Sequence, residues 1–169
     1  MIKAAPVVIT DYSNQWPILF AAEYADLLSI FPDCTIEHIG STAVPGLAAK
    51  PIIDIIIGAS SLVEIEGCIQ QLALLGYEYF PHHEHVLPQR RFFNKAASDS
   101  PACHIHAVVK DTPFWLNHLA FRNALLANTE LVTQYAQLKQ RLATEFREDR
   151  AAYTDAKAPF IQSVLATLV

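Results

Sequence analysis

Residues 36–57 read IEHIGSTAVPGLAAKPIIDIII and decide the fold. Thr35 to Ile39 predicts a strand that ends at Gly40, and the isoleucine-rich run Ile52 to Ile57 predicts a second, buried strand. The segment from Gly40 to Leu47 predicts a loop, or a loop that opens a short helix. This unit of strand, loop and buried strand is the centre around which the rest of the chain is interpreted.

One charged residue, Asp54, interrupts the second strand. Because side chains alternate along a strand, Asp54 shares its face with Ile52 and Ile56. An ionised carboxylate in such surroundings costs several kcal/mol unless a cation or hydrogen-bond donors satisfy it. The predicted partner is a metal ion, Lys50 or an arginine of a neighbouring strand. The simpler alternative is an aspartate at the strand end that reaches water or accepts hydrogen bonds from a loop.

Gly40, Ser41 and Thr42 directly follow the first predicted strand. A glycine lets the backbone approach a phosphate closely, and small hydroxyl residues at a helix start offer donors to an anion. Such a tripeptide also simply caps helices, so the signal is weak by itself. It gains weight because the strand that carries Asp54 follows, which predicts a phosphate cradle beside a cation-binding carboxylate.

Two histidines, His104 and His106, stand two residues apart in another predicted strand. Both imidazoles then point the same way, a spacing that can hold one divalent metal, although two polar residues on an exposed sheet face give the same pattern. Arg90 and Arg91, on the preceding strand, supply charge to a phosphate or are simply solvated. The remaining histidines of one loop are interpreted as solvated: His82, His83 and His85.

The remaining segments predict an α+β protein, in which helices pack on a small mixed sheet. The predicted elements are helices at 18–30, 61–76, 130–146 and 155–168 and paired strands at 90–95 and 104–109. From residue 111 onward the chain reads as nearly continuous helix. We predict a single domain over residues 1–169, with an α/β core in 1–110 and a helical part in 111–169.

Composition narrows the class of protein. Hydrophobic residues make up 52% of the 169 residues and charged residues 17%, which excludes disorder for most of the chain. The net charge of −5 argues against broad binding to nucleic acid or anionic lipid. The densest apolar stretch, Pro51 to Ala59, is far shorter than the roughly 20 residues of a membrane span. The three cysteines form no C-x-x-C pair and the first residues show no secretory signal, so we expect a cytoplasmic protein.

Residues 36–55 closely resemble the signature of the GrpB family. His104-Ile105-His106 looks like that family's H-x-H strand. The helical part is similar to the family's C-terminal pattern at several positions, namely Leu119 to Arg122, Tyr135, Leu138, Lys139, Tyr153 and Lys157. The resemblance covers nearly the whole chain.

The resemblance implies a fold like that of the nucleotidyltransferase superfamily, which includes DNA polymerase beta and the antibiotic nucleotidyltransferases. That superfamily carries Gly-Ser, then a D-x-D pair on the next strand, then a third carboxylate on a later strand. Gly40, Ser41 and Asp54 match this pattern, whereas the second aspartate falls at Ile56, which cannot bind a cation. One carboxylate stands where three are usual, which weighs against classical two-metal transfer.

The resemblance also implies binding of a nucleotide or phosphorylated small molecule with a divalent metal (magnesium, manganese or zinc), and nucleotidyl or phosphoryl transfer to a small acceptor. The expected metal ligands are Asp54, His104, His106 and His38. The expected phosphate and cofactor contacts are Gly40, Ser41, Thr42 and Arg122. The expected catalytic residues are Asp54, Lys50 and Arg91.

The alternative is a catalytically degenerate domain that binds a ligand or a protein partner without turnover. GrpB-like domains occur fused to dephospho-coenzyme A kinase, where they are thought to help the kinase to fold, so folding assistance is a related role. Position 56 separates the two hypotheses: Ile56→Asp is expected to improve metal binding if an ancestral site persists. A phosphoesterase built on the H-x-H strand is less well supported, because no second histidine motif is found.

Overall fold

A computed structural model describes residues 6–98 and 100–168 and builds them around a five-stranded sheet. The strands are β1 (Thr35–Ile39), β2 (Ile52–Ala59), β3 (Glu78–Tyr79), β4 (Arg90–Lys95) and β5 (Ala102–Val109). The helices are α1 (Gln15–Ile30), α2 (Leu62–Glu66), α3 (Ile69–Leu74), α4 (Pro113–Ala127), α5 (Thr129–Glu145), α6 (Arg150–Ala156) and α7 (Ala158–Ala166). A short 3₁₀ turn, Ser41–Ala43, follows β1, and a second, Pro81–His85, precedes β4.

The sheet is mixed, with the strand order β1-β2-β5-β4-β3. β2 and β5 pair in parallel, whereas the other three pairs are antiparallel. The connection from β2 to β5 carries α2, α3 and the hairpin of β3 and β4. The predicted α+β architecture, with helices packed on a small mixed sheet, is confirmed.

One face of the sheet carries the main hydrophobic core. Ile53, Ile55 and Ile57 point to this side, where they are fully buried with side chains of α1, α2 and α3. Because successive side chains alternate, Asp54 and Ile56 point to the opposite face. The parallel register places His104 beside Asp54 and His106 beside Ile56 on that opposite face.

Helix α4 covers part of this second face. Trp115 of α4 packs against Ile56 in a small buried cluster with Ile39 and Val108. Gly58 makes room for the indole, because a Cβ there would lie 2.7 Å from Trp115 Cζ3. The cluster fills one half of the face, and Asp54 and its histidine neighbours lie in the other half.

Two predicted helices are each divided in the structure. The segment expected at 155–168 forms α6 and α7, because Pro159 has no N–H to continue the hydrogen bonding of α6. The segment expected at 61–76 forms α2 and α3, with Gly67 at the division. Ser61 caps α2 as expected, since its hydroxyl accepts a hydrogen bond from the backbone N–H of Glu64.

Within residues 6–98 and 100–168, no helix is long and apolar enough to span a membrane. The expectation that the chain begins without a secretory signal rests in part on residues 1–5, which lie outside the described residues.

Candidate functional site

A cavity of about 390 Å³ lies between the second face of the sheet and the C-terminal helices. The loop after β1 contributes Gly40 and Ser41, and the sheet contributes Asp54. The histidines His104 and His106 complete the sheet wall. The opposite wall is made by side chains of α4 to α7, which include Asn117, His118, Tyr135, Lys139, Tyr153 and Lys157.

Asp54 contacts both histidines of the H-x-H strand. Its Oδ1 atom lies 3.5 Å from His104 Nδ1 and 3.5 Å from His106 Nε2. Burial alone would raise the pKa of Asp54, but the contacts with the two imidazoles outweigh burial and hold that pKa well below its usual range. Asp54 is therefore a carboxylate, and its side chain stays 28% exposed toward the cavity.

Gly40 is required by the approach of the loop to Asp54. Its φ of 72° lies in the left-handed region, which favours glycine. A Cβ at this position would lie 2.7 Å from Asp54 Oδ2 and 3.1 Å from Asp54 Cβ. The backbone of the loop and the carboxylate are thus in contact only because residue 40 has no side chain.

Replacing Gly40 with alanine is expected to lower the free energy of unfolding by about 2–3 kcal/mol, because both backbone strain and a steric clash oppose it. Gly46→Ala is the matched control, since Gly46 has a φ of 79° but nothing within 4 Å of the added Cβ. Backbone strain alone should then cost about 1–2 kcal/mol. Urea denaturation of both variants measures the difference, and equal losses would show that the contact with Asp54 is unimportant.

Thr42 lines the cavity, but its hydroxyl is used within the loop, and His38 is not among the residues that line the cavity. The buried Thr42 hydroxyl donates to the carbonyl of Ile52 over 2.9 Å, so His38 Nε2, also at 2.9 Å, donates its proton to Thr42 Oγ1. The His38 ring stacks on Phe20 on the core face, and burial lowers the pKa of His38 to about 4. The Nε2–H of this neutral imidazole donates to Thr42 and not to Asp54. His38 therefore lies outside the predicted metal cluster.

The two arginines expected at phosphates also lie elsewhere. Arg91 forms ion pairs with Glu66 at 2.7 Å and Glu84 at 3.4 Å, on the face opposite Asp54. Arg122 donates to Glu37 Oε2 at 2.7 Å and to the carbonyl of His38 at 2.8 Å. In the structure these contacts take up both guanidinium groups, and neither lines the cavity.

Arg90 does not line the cavity either, but it contacts His106, which does. Strand alternation turns it to the face of His106, and its Nη1 lies 3.2 Å from His106 Nδ1. A guanidinium can only donate, so Nδ1 accepts and the proton of the neutral imidazole is on Nε2. Burial lowers the pKa of His106, which favours this neutral form. His106 thus directs an N–H toward Asp54 and presents no lone pair there.

The side chains around Asp54 do not form a metal cage by themselves. Among the described residues, no three His, Cys, Asp or Glu side chains are grouped to hold a metal ion. The position of a second carboxylate is Ile56, which is fully buried beneath Trp115. This donor set does not fit zinc or a two-metal centre, which need more ligands. It does fit a magnesium ion that arrives with phosphate ligands, because such ions use one or two protein carboxylates.

One side of the cavity carries three lysines and two tyrosines, here called the lysine wall: Lys50 from the segment before β2, and Lys139, Lys157, Tyr135 and Tyr153 from the helical part. The ammonium groups of Lys50 and Lys157 lie 5.1 Å and 4.7 Å from the centre of the Tyr153 ring. Lys139 lies 4.9 Å from the centre of the Tyr135 ring and donates a hydrogen bond to the carbonyl of Ala48. No ion pair joins any of these lysines to a carboxylate in the described part of the chain.

Burial and mutual repulsion disfavour the charged forms of the three lysines in the lysine wall. Burial, reinforced by the charges of Lys157 and Lys50, lowers the pKa of Lys139 to about 7. Burial and Lys50 likewise lower the pKa of Lys157 to about 8, and burial lowers the pKa of Lys50. The three lysines are partly desolvated and form no direct ion pair within the described residues, and the charge of Asp54 offsets those of Lys50 and Lys157 only in part. An anion in the cavity would offset both their burial and their mutual repulsion.

Residue patterns identified only part of this wall. Lys50 belongs to the motif before β2, but Lys139 lies on α5 and Lys157 between α6 and α7. Only the family resemblance indicates these two lysines, because neither stands in a local pattern of charged residues. His118 was also missed; its Nδ1–H donates to the carbonyl of Phe114 over 2.7 Å, and burial lowers its pKa to about 4.

The fold of the chain is similar to that of solved structures. The structure superposes on a cytoplasmic RNA terminal U-transferase with a TM-score of 0.55 at 14% identity, over 79% of this chain and 40% of that one. At this identity the likeness shows the fold alone. The protein therefore has a nucleotidyltransferase-like fold.

Residues 6–167 match the family model described as GrpB protein, and the chain belongs to this GrpB family. It is 31% identical to the glutamate-rich protein GrpB of Alkalihalophilus pseudofirmus, over 97% of both chains. It is 33% identical to the UPF0157 protein YqkA of Bacillus subtilis, over 93% of this chain, but it spans only 46% of that relative's length. The crystal structure of the conserved protein GrpB from Enterococcus faecalis superposes with a TM-score of 0.82 at 34% identity, over 93% of this chain and 94% of that one.

Proposed function

We propose that the cavity binds the polyphosphate chain of a nucleotide, with the phosphates along the lysine wall. The observation that carries the proposal is the cluster of three ammonium groups that line one cavity and form no ion pair with a carboxylate of the described residues. Lys50, Lys139 and Lys157 match an anion of several negative charges better than a single carboxylate or monophosphate. The Gly40-Ser41 loop, which lines the same cavity, adds backbone and hydroxyl donors for phosphate oxygens.

Asp54 stands across the cavity from the lysine wall. Direct contact between this carboxylate and a phosphate would be repulsive, so a magnesium ion that the nucleotide brings with it fits between the two. Asp54 would hold this ion, whose chemistry is to neutralise and polarise phosphate oxygens. His106 orients the carboxylate through its Nε2–H, and Arg90 keeps that histidine in the required tautomer.

The buried Ile56 favours a second candidate function, which is nucleotide binding without transfer. With one carboxylate in the cavity, the site lacks the negative charge that holds two metal ions. Binding and turnover are separable, since release of pyrophosphate or phosphate from magnesium-ATP reports turnover, whereas calorimetry reports binding.

The affinity for magnesium-ATP is expected to fall about tenfold or more between pH 7 and pH 9. Lys139 and Lys157, with pKa values of about 7 and about 8 in the free protein, lose their protons in this interval. Because only the protonated lysines attract phosphate, binding weakens as the pH rises. Isothermal titration calorimetry at pH 7, 8 and 9 measures this, with adenosine as the uncharged control.

Two results of the same titrations would contradict the proposal. Absence of heat with magnesium-ATP and with sodium tripolyphosphate at pH 7 would show that the cavity does not bind polyphosphate. Equal affinity for ATP and adenosine, or an affinity that does not decrease with pH, would show that the lysine wall is not the site of binding.

A further inference from the structure

A second cavity of about 380 Å³ adjoins the first and shares Lys50, Ile52 and His104 with it. We propose that this second cavity binds a small anionic molecule that also carries a hydroxyl or amino group. The inference rests on the proposed function only in taking polyphosphate as the occupant of the first cavity. The second ligand would then lie beside the polyphosphate, with Lys50 and His104 between the two.

The floor of the second cavity is fixed by the register of the sheet. Asp54 on β2 pairs with His104 on β5, which pairs with Asn94 on β4. All three side chains therefore point to the same face, in a row across three strands. Asp54 lines the first cavity, Asn94 lines the second, and His104 lines both.

Asn94 provides the unsatisfied polar atom. Its Oδ1 is buried, and no donor among the described residues forms a hydrogen bond with it. A buried carbonyl oxygen without a partner is costly, because it has lost water and gained nothing in exchange. Asn94 also lines the cavity, so a small rotation of its side chain would let a hydroxyl or ammonium group of a ligand supply the missing donor.

The charge of the second cavity selects an anion. Lys50 and Arg150 line it, and none of the described residues that line it is a carboxylate. The two cations act on each other, since Arg150 contributes to lowering the pKa of Lys50. The rest of the wall consists of small or apolar side chains, namely Pro6, Val8, Pro51, Ala96, Ala97 and Ala102. Such a site fits a compact molecule with one phosphate or carboxylate.

Calorimetry with three probes tests the proposal. Sodium tripolyphosphate reports the first cavity. Glycerol 3-phosphate and glycerate, each an anion with hydroxyl groups, report the second and distinguish a phosphate from a carboxylate. At least one of these two is expected to bind to protein already saturated with tripolyphosphate, and more tightly than either glycerol or inorganic phosphate does.

Two variants assign the binding to this cavity. Asn94→Leu and Arg150→Gln are expected to weaken binding of the anionic alcohol about threefold to tenfold and to leave the affinity for tripolyphosphate within about twofold. Arg150 is exposed, so its substitution tests the proposal even if the Asn94 variant fails to fold. Lys157→Gln should show the opposite pattern, with loss of tripolyphosphate binding only.

The outcomes separate the two proposals. Three results would show that the second cavity is not a ligand site: neither anionic alcohol binds, each binds only in competition with tripolyphosphate, or both variants bind the anionic alcohol as tightly as the wild type does. The proposed function stands in each case as long as tripolyphosphate binds. If tripolyphosphate fails to bind but the anionic alcohol binds and responds to Asn94→Leu and Arg150→Gln, the second site stands and the proposed function fails.

Discussion

Lys139→Met is expected to stabilise the free protein by about 1–3 kcal/mol at pH 6.5 and to weaken polyphosphate binding about 10- to 100-fold. Lys139 is only 2% exposed, and its pKa falls from 10.5 to about 7 on folding. The unfolded chain therefore binds more protons, and the destabilisation is largest below pH 7 and disappears as the pH rises toward 10.5. Methionine removes this destabilisation, and loss of the hydrogen bond to Ala48 offsets part of the gain.

Thermal and urea denaturation at pH 6.5 and pH 9 measure the stability of this variant, and calorimetry with tripolyphosphate measures its binding. Lys110→Met is the matched control, since Lys110 is exposed and lies outside both cavities. Two results would contradict the role assigned to the lysine wall. One is a Lys139→Met protein that binds tripolyphosphate as tightly as the wild type does. The other is a gain in stability over the wild type that is smaller at pH 6.5 than at pH 9.

Ile56→Asp is expected to destabilise the protein by about 3–5 kcal/mol and to leave magnesium binding unimproved. Ile56 is fully buried against Trp115, Ile39 and Val108, so the new carboxylate would have neither water nor a cation. The family pattern gives a conditional expectation: Ile56→Asp improves metal binding if an ancestral site persists, and leaves it unchanged if the domain is catalytically degenerate. That expectation took no account of Trp115, which separates position 56 from the cavity.

Ile56→Val is the matched control, because it removes one methyl group without adding charge and should cost about 0.5–1.5 kcal/mol. Urea denaturation compares both variants with the wild type, and magnesium titration in the presence of ATP compares their binding. An Ile56→Asp protein that is as stable as Ile56→Val, or that binds magnesium-ATP more tightly than the wild type, would show that position 56 reaches the site.

The strands and the centre of the site could be predicted because both depend on a period of two. The alternation around Asp54 places it on the face opposite the core, and the same alternation brings His104 and His106 together beside it. Gly40 was recognisable because a glycine directly after a strand marks a close approach of the backbone. These inferences need only the chain direction and the geometry of a strand.

Other parts of the site depend on distant contacts that no local pattern records. Arg90 and Arg91 are neighbours in sequence, yet one faces His106 and the other pairs with Glu66, and only the register decides which. Arg122 of α4 bonds to Glu37 and to the carbonyl of His38, both on β1. The ring of His38 contacts Phe20 of α1 and Thr42 of the loop after β1. The lysine wall likewise assembles only when α5 and α6 pack beside the segment before β2.

The positions of the lysine charges and of Asp54 also determine the orientation that an elongated ligand can take in the cavity. Lys139 and Lys157 lie on the helical side of the cavity and the Asp54 carboxylate on the sheet side, so a molecule with an anionic end and a neutral end has one favourable orientation. Reversing it would bring the anionic end toward Asp54 and leave Lys139 uncompensated. Selectivity for molecules that are anionic at one end is therefore built into the polarity of the two walls.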